Sequence, residues 1–330
     1  MNARHVDQWM AIARSNAVKT EPLRVMVGGQ PLVLFRSAGQ LHCLTDYCPH
    51  RAAPLSGGKI KDGLIECPYH GWRFDGAGRC KLIPGHIGVT SKSRVPVHLV
   101  MEKDGLIFYA EQMPTLQPYT TALSAQRHIS VISENNVSST VAEVAENILD
   151  ATHTHFVHKG ILRGLSSRRY KVTVSVTGGD GWVEARYEGE PQQEGIISRL
   201  LEGKRSISIG RFMAPGIAEL EFWGPSQINL VTSFHLRQAT PDQVHGFGIL
   251  SAHDKGILSR IKAMLFKPFF QIAVRQDQKI LESAQKNRAY FPARTRMIGP
   301  IDVMRPHIEA ILAGNRPSVA DQPLTLTIEL

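Results

Sequence analysis

Two cysteines and two histidines constrain this chain more than any other feature. Cys48-Pro49-His50 and Cys67-Pro68-Tyr69-His70 each offer one thiolate and one imidazole, with residues 51–66 between them. Each pair reads as its own turn. A set of two cysteines and two histidines holds either a tetrahedral zinc or a [2Fe–2S] cluster in which histidines replace the cysteines on one iron. A zinc finger usually keeps both cysteines on one knuckle and both histidines on a helix. Here each turn supplies one of each, which puts a mixed pair on either side of the metal.

The surrounding residues read as short strands. Leu23-Arg24-Val25-Met26-Val27 alternates, Gly28-Gly29 turns, and Pro31 to Arg36 forms the second arm. Short apolar runs recur at Leu41–Leu44, Leu64-Ile65 and Gly105–Tyr109, punctuated by Gly57-Gly58, Asp62-Gly63, Asp75-Gly76 and Asp104-Gly105. This is a small all-β domain. Cys43 and Cys80 fall outside the metal pattern and read as small buried apolar residues.

The stretch from Cys48 through Pro-His-Arg-Ala-Ala-Pro-Leu-Ser-Gly-Gly, followed by Ile65-Glu-Cys-Pro-Tyr-His-Gly-Trp-Arg-Phe, closely resembles the cluster-binding loops of the Rieske non-haem iron oxygenases. The resemblance implies a Rieske [2Fe–2S] cluster on Cys48, His50, Cys67 and His70. It also implies an α+β protein: an all-β Rieske domain over 1–112, then a catalytic domain over 113–330. The second domain would be an antiparallel sheet with helices, of the helix-grip, START-like kind. The pattern along the chain agrees. Gln112 to Thr121 reads as a linker. Ser139–Thr152 reads as a helix with Val141, Val144, Ala145, Ile148 and Leu149 on one stripe. Strands are expected at 170–176, 182–187, 217–222, 228–235 and 244–250, and a helix over 256–286 with a break at Pro268.

The second candidate centre lies in Ala145-Glu-Asn-Ile-Leu-Asp150-Ala-Thr-His153-Thr-His-Phe-Val-His158. On a helix, Glu143, Asn147, Asp150 and His153 or Thr154 share one face. Oxygen-activating Fe(II) is commonly held by two histidines and a carboxylate with positions left open. Asp150-x-x-His153-x-x-x-x-His158 resembles the family's signature for that centre, which implies His153 and His158 as ligands, with His155 pointing elsewhere. Asp277 is the expected third ligand, because it sits among Ala273, Ile280, Leu281 and Ala284 and an aspartate on an apolar stripe is costly unless paired or metal-bound. Arg275-Gln-Asp277-Gln-Lys-Ile-Leu-Glu also resembles the family's final carboxylate segment; Glu282 is the second choice. The resemblance makes Asp150 an electron-transfer bridge between a cluster histidine and an iron ligand, His70 and His153 here. In the family that bridge usually joins neighbouring subunits, which implies a homotrimer.

The chain carries a net charge of +9, which suits an acidic protein partner or an anionic substrate as well as a merely solvated surface. No Lys/Arg run marks a nucleic-acid tail. Met1 to Asp7 shows no secretory h-region, no apolar stretch spans a membrane, and four cysteines in 330 residues form no disulfide framework, so a cytoplasmic protein is expected. No flavin or dinucleotide segment is evident, so electrons are expected from a separate reductase carrying flavin, or from a ferredoxin. The length and the compact histidine spacing resemble the branch that contains vanillate O-demethylase, dicamba demethylase and the phthalate oxygenases. That implies hydroxylation or demethylation of a small aromatic or heterocyclic substrate with O₂. Cis-dihydroxylation and natural-product tailoring are alternatives, as are a bare Rieske electron carrier and a zinc-stabilised binding protein. For the substrate pocket, His245, Phe247 and Ile249 alternate onto one strand face, with His245 a candidate for an anionic group. Asn229, Phe222 and Trp223 are further candidates.

Overall fold

The structure is a computed structural model that describes residues 8–87, 92–159, 169–189 and 205–330. Met1–Asp7, on which the absence of a leader was read, lie outside it. The chain divides near Pro118 into two compact units.

The first unit is all β. Its strands are β1 (Met10–Arg14), β2 (Leu23–Val27), β3 (Gln30–Ser37), β4 (Gln40–Thr45), β5 (Lys59–Lys61), β6 (Leu64–Glu66), β7 (Arg73–Phe74), β8 (Cys80–Leu82), β9 (Leu99–Lys103) and β10 (Leu106–Ala110). They form three small sheets, ordered β1-β10-β9, β2-β3-β4 and β5-β6-β7-β8. β3 sends alternate residues into two different cores, so its centre is a continuous apolar run. Leu32 and Leu34 pack with Ile12, Val27 and Ile107, while Val33 and Phe35 pack with Leu44, Leu55, Ile65 and Phe74. Cys43 is buried in the first core and Cys80 in the second.

The second unit is built on one antiparallel sheet. Its strands are β11 (His128–Val137), β12 (Lys171–Gly179), β13 (Trp182–Glu188), β14 (Ile207–Met213), β15 (Ile217–Trp223), β16 (Ile228–Thr240), β17 (Gln243–His253) and β18 (Leu324–Glu329). Their order in space is β11-β17-β16-β15-β14-β13-β12-β18, eight strands in all. Among the described residues, four helices accompany them: α1 (Val141–Leu149), the single turn α2 (Thr154–Val157), α3 (Ile257–Arg288) and α4 (Arg305–Leu312). Among the described residues, no helix is long and apolar enough to cross a membrane.

Three details differ from the sequence reading. The helix through the histidines is not continuous: α1 starts at the Thr140 cap and stops at Leu149, with Asp150 already extended at φ −79°, ψ 111°. The Asp150 carboxylate accepts from the Thr152 N–H at 2.7 Å and the Thr152 hydroxyl at 2.6 Å, which favours a turn over another helical residue. Second, α3 runs unbroken through Pro268. The carbonyl that Pro268 cannot bond belongs to Met264, an exposed residue. Third, the end of the expected linker is not free. Thr120 and Thr121 are buried, and the Tyr119 hydroxyl donates to Glu219 at 2.5 Å.

Candidate metal centres

The two cysteine–histidine turns have the same construction. In the first, the Cys48 N–H donates to Ala53 and the Ala52 N–H returns to Cys48, each at 2.9 Å. In the second, the Cys67 N–H donates to Trp72 at 2.8 Å and the Gly71 N–H returns to Cys67 at 3.1 Å. The fifth residue of each turn lies in the left-handed region, with φ 59° at Ala52 and 69° at Gly71. This closure folds each turn over its cysteine. Asp46 ties down the first turn by accepting from the Ser56 N–H at 2.7 Å and the Ser56 hydroxyl at 2.6 Å.

The turns bring all four residues to one place. The imidazoles of His50 and His70 have ring centroids 4.5 Å apart, and His50 stacks flat on Trp72 at 4.7 Å. Both cysteines are buried and His50 is exposed. Burial raises the Cys48 thiol to about 11, helped by the neighbouring Cys67. At neutral pH a thiol so raised gives up its proton only to a cationic partner such as a metal. An iron pair with buried thiolates on one side and more accessible imidazoles on the other fits this layout.

The second group stands in the second unit. His153 follows α1, His158 ends α2 and Asp277 lies midway along α3. Their ligating atoms all fall within 4.8 Å of one another. Asp277 Oδ1 is 3.0 Å from His158 Nε2 and 3.3 Å from His153 Nε2, and the two Nε2 atoms are 3.3 Å apart. The far side of each ring is already used. His153 Nδ1 is 2.7 Å from the Asp150 carbonyl, and His158 Nδ1 is 2.9 Å from Gln276 Oε1. Both partners are acceptors, so each Nδ1 carries a proton and each ring turns its Nε2 toward Asp277, free for a metal or a second proton.

Two lone pairs and a carboxylate oxygen directed at one point repel unless a cation lies among them. The titration behaviour has the same cause. Burial pulls His153 down, but Asp150 and Asp277 outweigh it and raise the group to about 9. Burial pushes Asp277 up, but the two imidazoles outweigh it and hold the carboxyl at about 2. Two imidazoles and one carboxylate on one side, with the rest open, is the donor set of non-haem Fe(II). The expected apolar stripe around Asp277 is incomplete, since Ile280 is 48 % exposed. His155 and Glu282 do not join the group, and Glu282 accepts instead from Gln278 at 3.0 Å.

The sheet has two unlike faces, which decides the pocket candidates. Val144, Ala145 and Leu149 of α1 pack with Phe212, Ala218, Leu236 and Val244, while Phe270 of α3 lies 6.0 Å from Phe234. The helices carrying the triad thus cover the face of the even-numbered residues of β14–β17. His245, Phe247 and Ile249 alternate to the other face. There His245 Nε2 is 2.8 Å from Glu134 Oε1, so it is not placed to meet a substrate beside the triad. Trp223 also turns away, donating to Glu221 at 2.7 Å, whereas Phe222 faces the helices by alternation. Asn229 sits at the bulge between β15 and β16, against Gly224.

That outer face holds a buried network the sequence reading missed. Arg211 bonds Glu184 and Glu221, each at 2.8 Å, and lies 3.5 Å from Glu219. Glu219 also accepts from Ser233 and Tyr119, each at 2.5 Å. Burial raises the Glu219 carboxyl. Glu219-x-Glu221 in an apolar strand looks like a solvated face; the Tyr119–Leu123 segment covers it instead.

Comparison with known proteins agrees with this geometry. Residues 8–93 match the Rieske [2Fe-2S] domain, and residues 137–312 match the vanillate O-demethylase oxygenase C-terminal domain. The chain is 26 % identical to the oxygenase component of dicamba O-demethylase from Stenotrophomonas maltophilia, over 86 % of this chain and 89 % of that protein. It is 34 % identical to methylxanthine N3-demethylase NdmB from Pseudomonas putida, over 45 % of each. A crystal structure of dicamba monooxygenase bound to dicamba superposes with a TM-score of 0.77 at 22 % identity, covering 93 % of this chain and 96 % of that one, a likeness of fold. The two centres and the domain matches on both together place the chain in the vanillate O-demethylase branch of the Rieske non-haem iron oxygenases.

Proposed function

We propose that the chain is the terminal oxygenase of a multicomponent system, hydroxylating or demethylating a small organic substrate. Cys48, His50, Cys67 and His70 hold the cluster, and His153, His158 and Asp277 hold the iron. The observation that carries this is the convergence of two Nε2 atoms and a carboxylate oxygen in a domain matched to oxygenases. When bound, the cluster supplies single electrons and the ferrous ion supplies O₂ activation.

The chain's own residues do the positioning. Gln276 and the Asp150 carbonyl fix both imidazole tautomers. Asp150 holds His153 twice, its carbonyl accepting from Nδ1–H at 2.7 Å and its carboxylate from the His153 backbone N–H at 3.2 Å, which supports its assignment as the electron-transfer bridge. Relatives named as oxygenase components support a separate reductase or ferredoxin, and the resemblance supports a homotrimer. The demethylases among the relatives support an aromatic or heterocyclic substrate.

Oxygen-electrode assays with a surrogate reductase and a panel of aryl methyl ethers test the reading. Substrate-dependent O₂ uptake is expected, and His153→Ala should abolish it while keeping the cluster absorption. Uptake that survives this substitution would refute the iron assignment.

A further inference from the structure

The solvent side of α3 changes character halfway along the helix. Phe270 lies 6.0 Å from Phe234 of the sheet and Ala273 is buried, so these residues and Asp277 mark the inner side. The opposite side, reached by helical steps, holds Ile257, Ile261, Met264, Leu265 and Ile272. These side chains are between 41 % and 75 % exposed. Further along, the same sector carries Arg275, Lys279, Glu282 and Lys286, the ordinary composition of a helix face in water. From Ile257 to Ile272 the apolar strip is about 24 Å long at the usual helical rise.

A single exposed leucine needs no explanation, but a contiguous strip does. Packing does not account for it, because these residues point away from the sheet that the helix covers. Helix propensity does not account for it either. Isoleucine forms helices less well than the lysine or glutamate that would keep the same face soluble.

The borders of the strip are cationic. From Lys255 to Gln276 the sequence holds no aspartate or glutamate. Lys255 is exposed at one end of the strip, Lys267 beside it and Arg275 at the other end. Asp254, the acid just before it, is engaged by Arg127 at 3.3 Å and Arg260 at 3.1 Å. Outward aliphatic side chains bordered by cations are the composition of a helix that lies in the plane of a membrane interface, its apolar side against acyl chains and its cations among anionic headgroups. We infer that the N-terminal half of α3 docks on an anionic phospholipid bilayer. Ile257, Met264 and Leu265 enter the apolar layer, and Lys255 and Lys267 face the headgroups. The association is peripheral, since no described helix is long and apolar enough to cross a membrane. It depends on neither metal centre.

Co-sedimentation of the purified protein, with its cluster absorption intact, tests this on vesicles of phosphatidylcholine alone and of phosphatidylcholine mixed with phosphatidylglycerol. Binding to the mixed vesicles should be saturable, about tenfold tighter than to phosphatidylcholine, and weaker at high salt. The double variant Met264→Gln/Leu265→Gln should weaken it by about tenfold. Lys255→Gln/Lys267→Gln should do the same and remove most of the preference for the anionic lipid. Lys279→Gln/Lys286→Gln, which takes the same charge from the polar half of the helix, should bind like the parent. All three variants should melt with the parent, because every altered side chain is exposed. Absence of binding to the mixed vesicles would overturn the inference. So would equal weakening by the two lysine pairs, which would mean attraction to the net charge of the whole chain. A third contrary result is Met264→Gln/Leu265→Gln lowering the molar mass in light scattering while vesicle binding stays at the parent level, which would assign the strip to a second copy of this chain.

Discussion

At the scale of single residues, the proposed iron triad depends on groups outside it. Gln276 holds His158 by Nδ1, at 2.9 Å. Gln276→Ala frees that ring to change tautomer and should lower iron affinity by about 10- to 100-fold, measured by competition with a chelator. His235 shows a different dependence. It is buried against the Thr120 carbonyl at 2.9 Å, and burial lowers it from 6.5 to about 4. The folded state therefore refuses a proton that the unfolded chain accepts. The resulting stability is complete above pH 6.5 and is lost as pH falls toward 4, by up to about 3 kcal/mol. His235→Gln keeps a donor for Thr120 but cannot titrate. Urea unfolding at pH 7.5 and 5 should show a shallower acid loss in the variant; equal losses would contradict this account.

At the scale of elements, the two twin turns are set by close backbone approach. A Cβ on Gly58 would lie 1.8 Å from the carbonyl oxygen of Glu66, in the strand that delivers Cys67. Gly58→Ala should push the two cysteine–histidine turns apart, with loss of most cluster absorption in protein that otherwise remains folded. An unchanged spectrum would show that the turns tolerate the shift. The strands were legible because alternation is a local signal. Register gives the period of a strand but not which face meets the helices. In β17 both faces are buried, with Val244, Phe247, Ile249 and Leu250 all at 8 % exposure or less, so the side of His245 could not be read. The break after Leu149 was hidden for another reason. The apolar stripe of α1 continues through it, and only the Asp150–Thr152 hydrogen bonds favour the turn.

At the scale of the whole molecule, the two halves were legible to different degrees. The cluster turns are short motifs in which each donor lies within three residues of its partner, so spacing alone names them. The proposed iron group is assembled from the two ends of α2 and a helix more than a hundred residues later. There, composition pointed to Asp277 through a stripe that is only partly buried, and convergence of the ligating atoms distinguishes it from Glu282. The Arg211–Glu219–Tyr119 network escaped because buried and solvated carboxylates look alike in sequence. The central claim is that one chain carries two independent iron centres. Iron and acid-labile sulfide analysis, with visible absorption, of the parent and Asp277→Asn tests it most directly. The account predicts about three irons and two sulfides in the parent, and about two irons, two sulfides and the same spectrum in the variant. Iron content unchanged by the substitution, or lost together with the cluster spectrum, would contradict it.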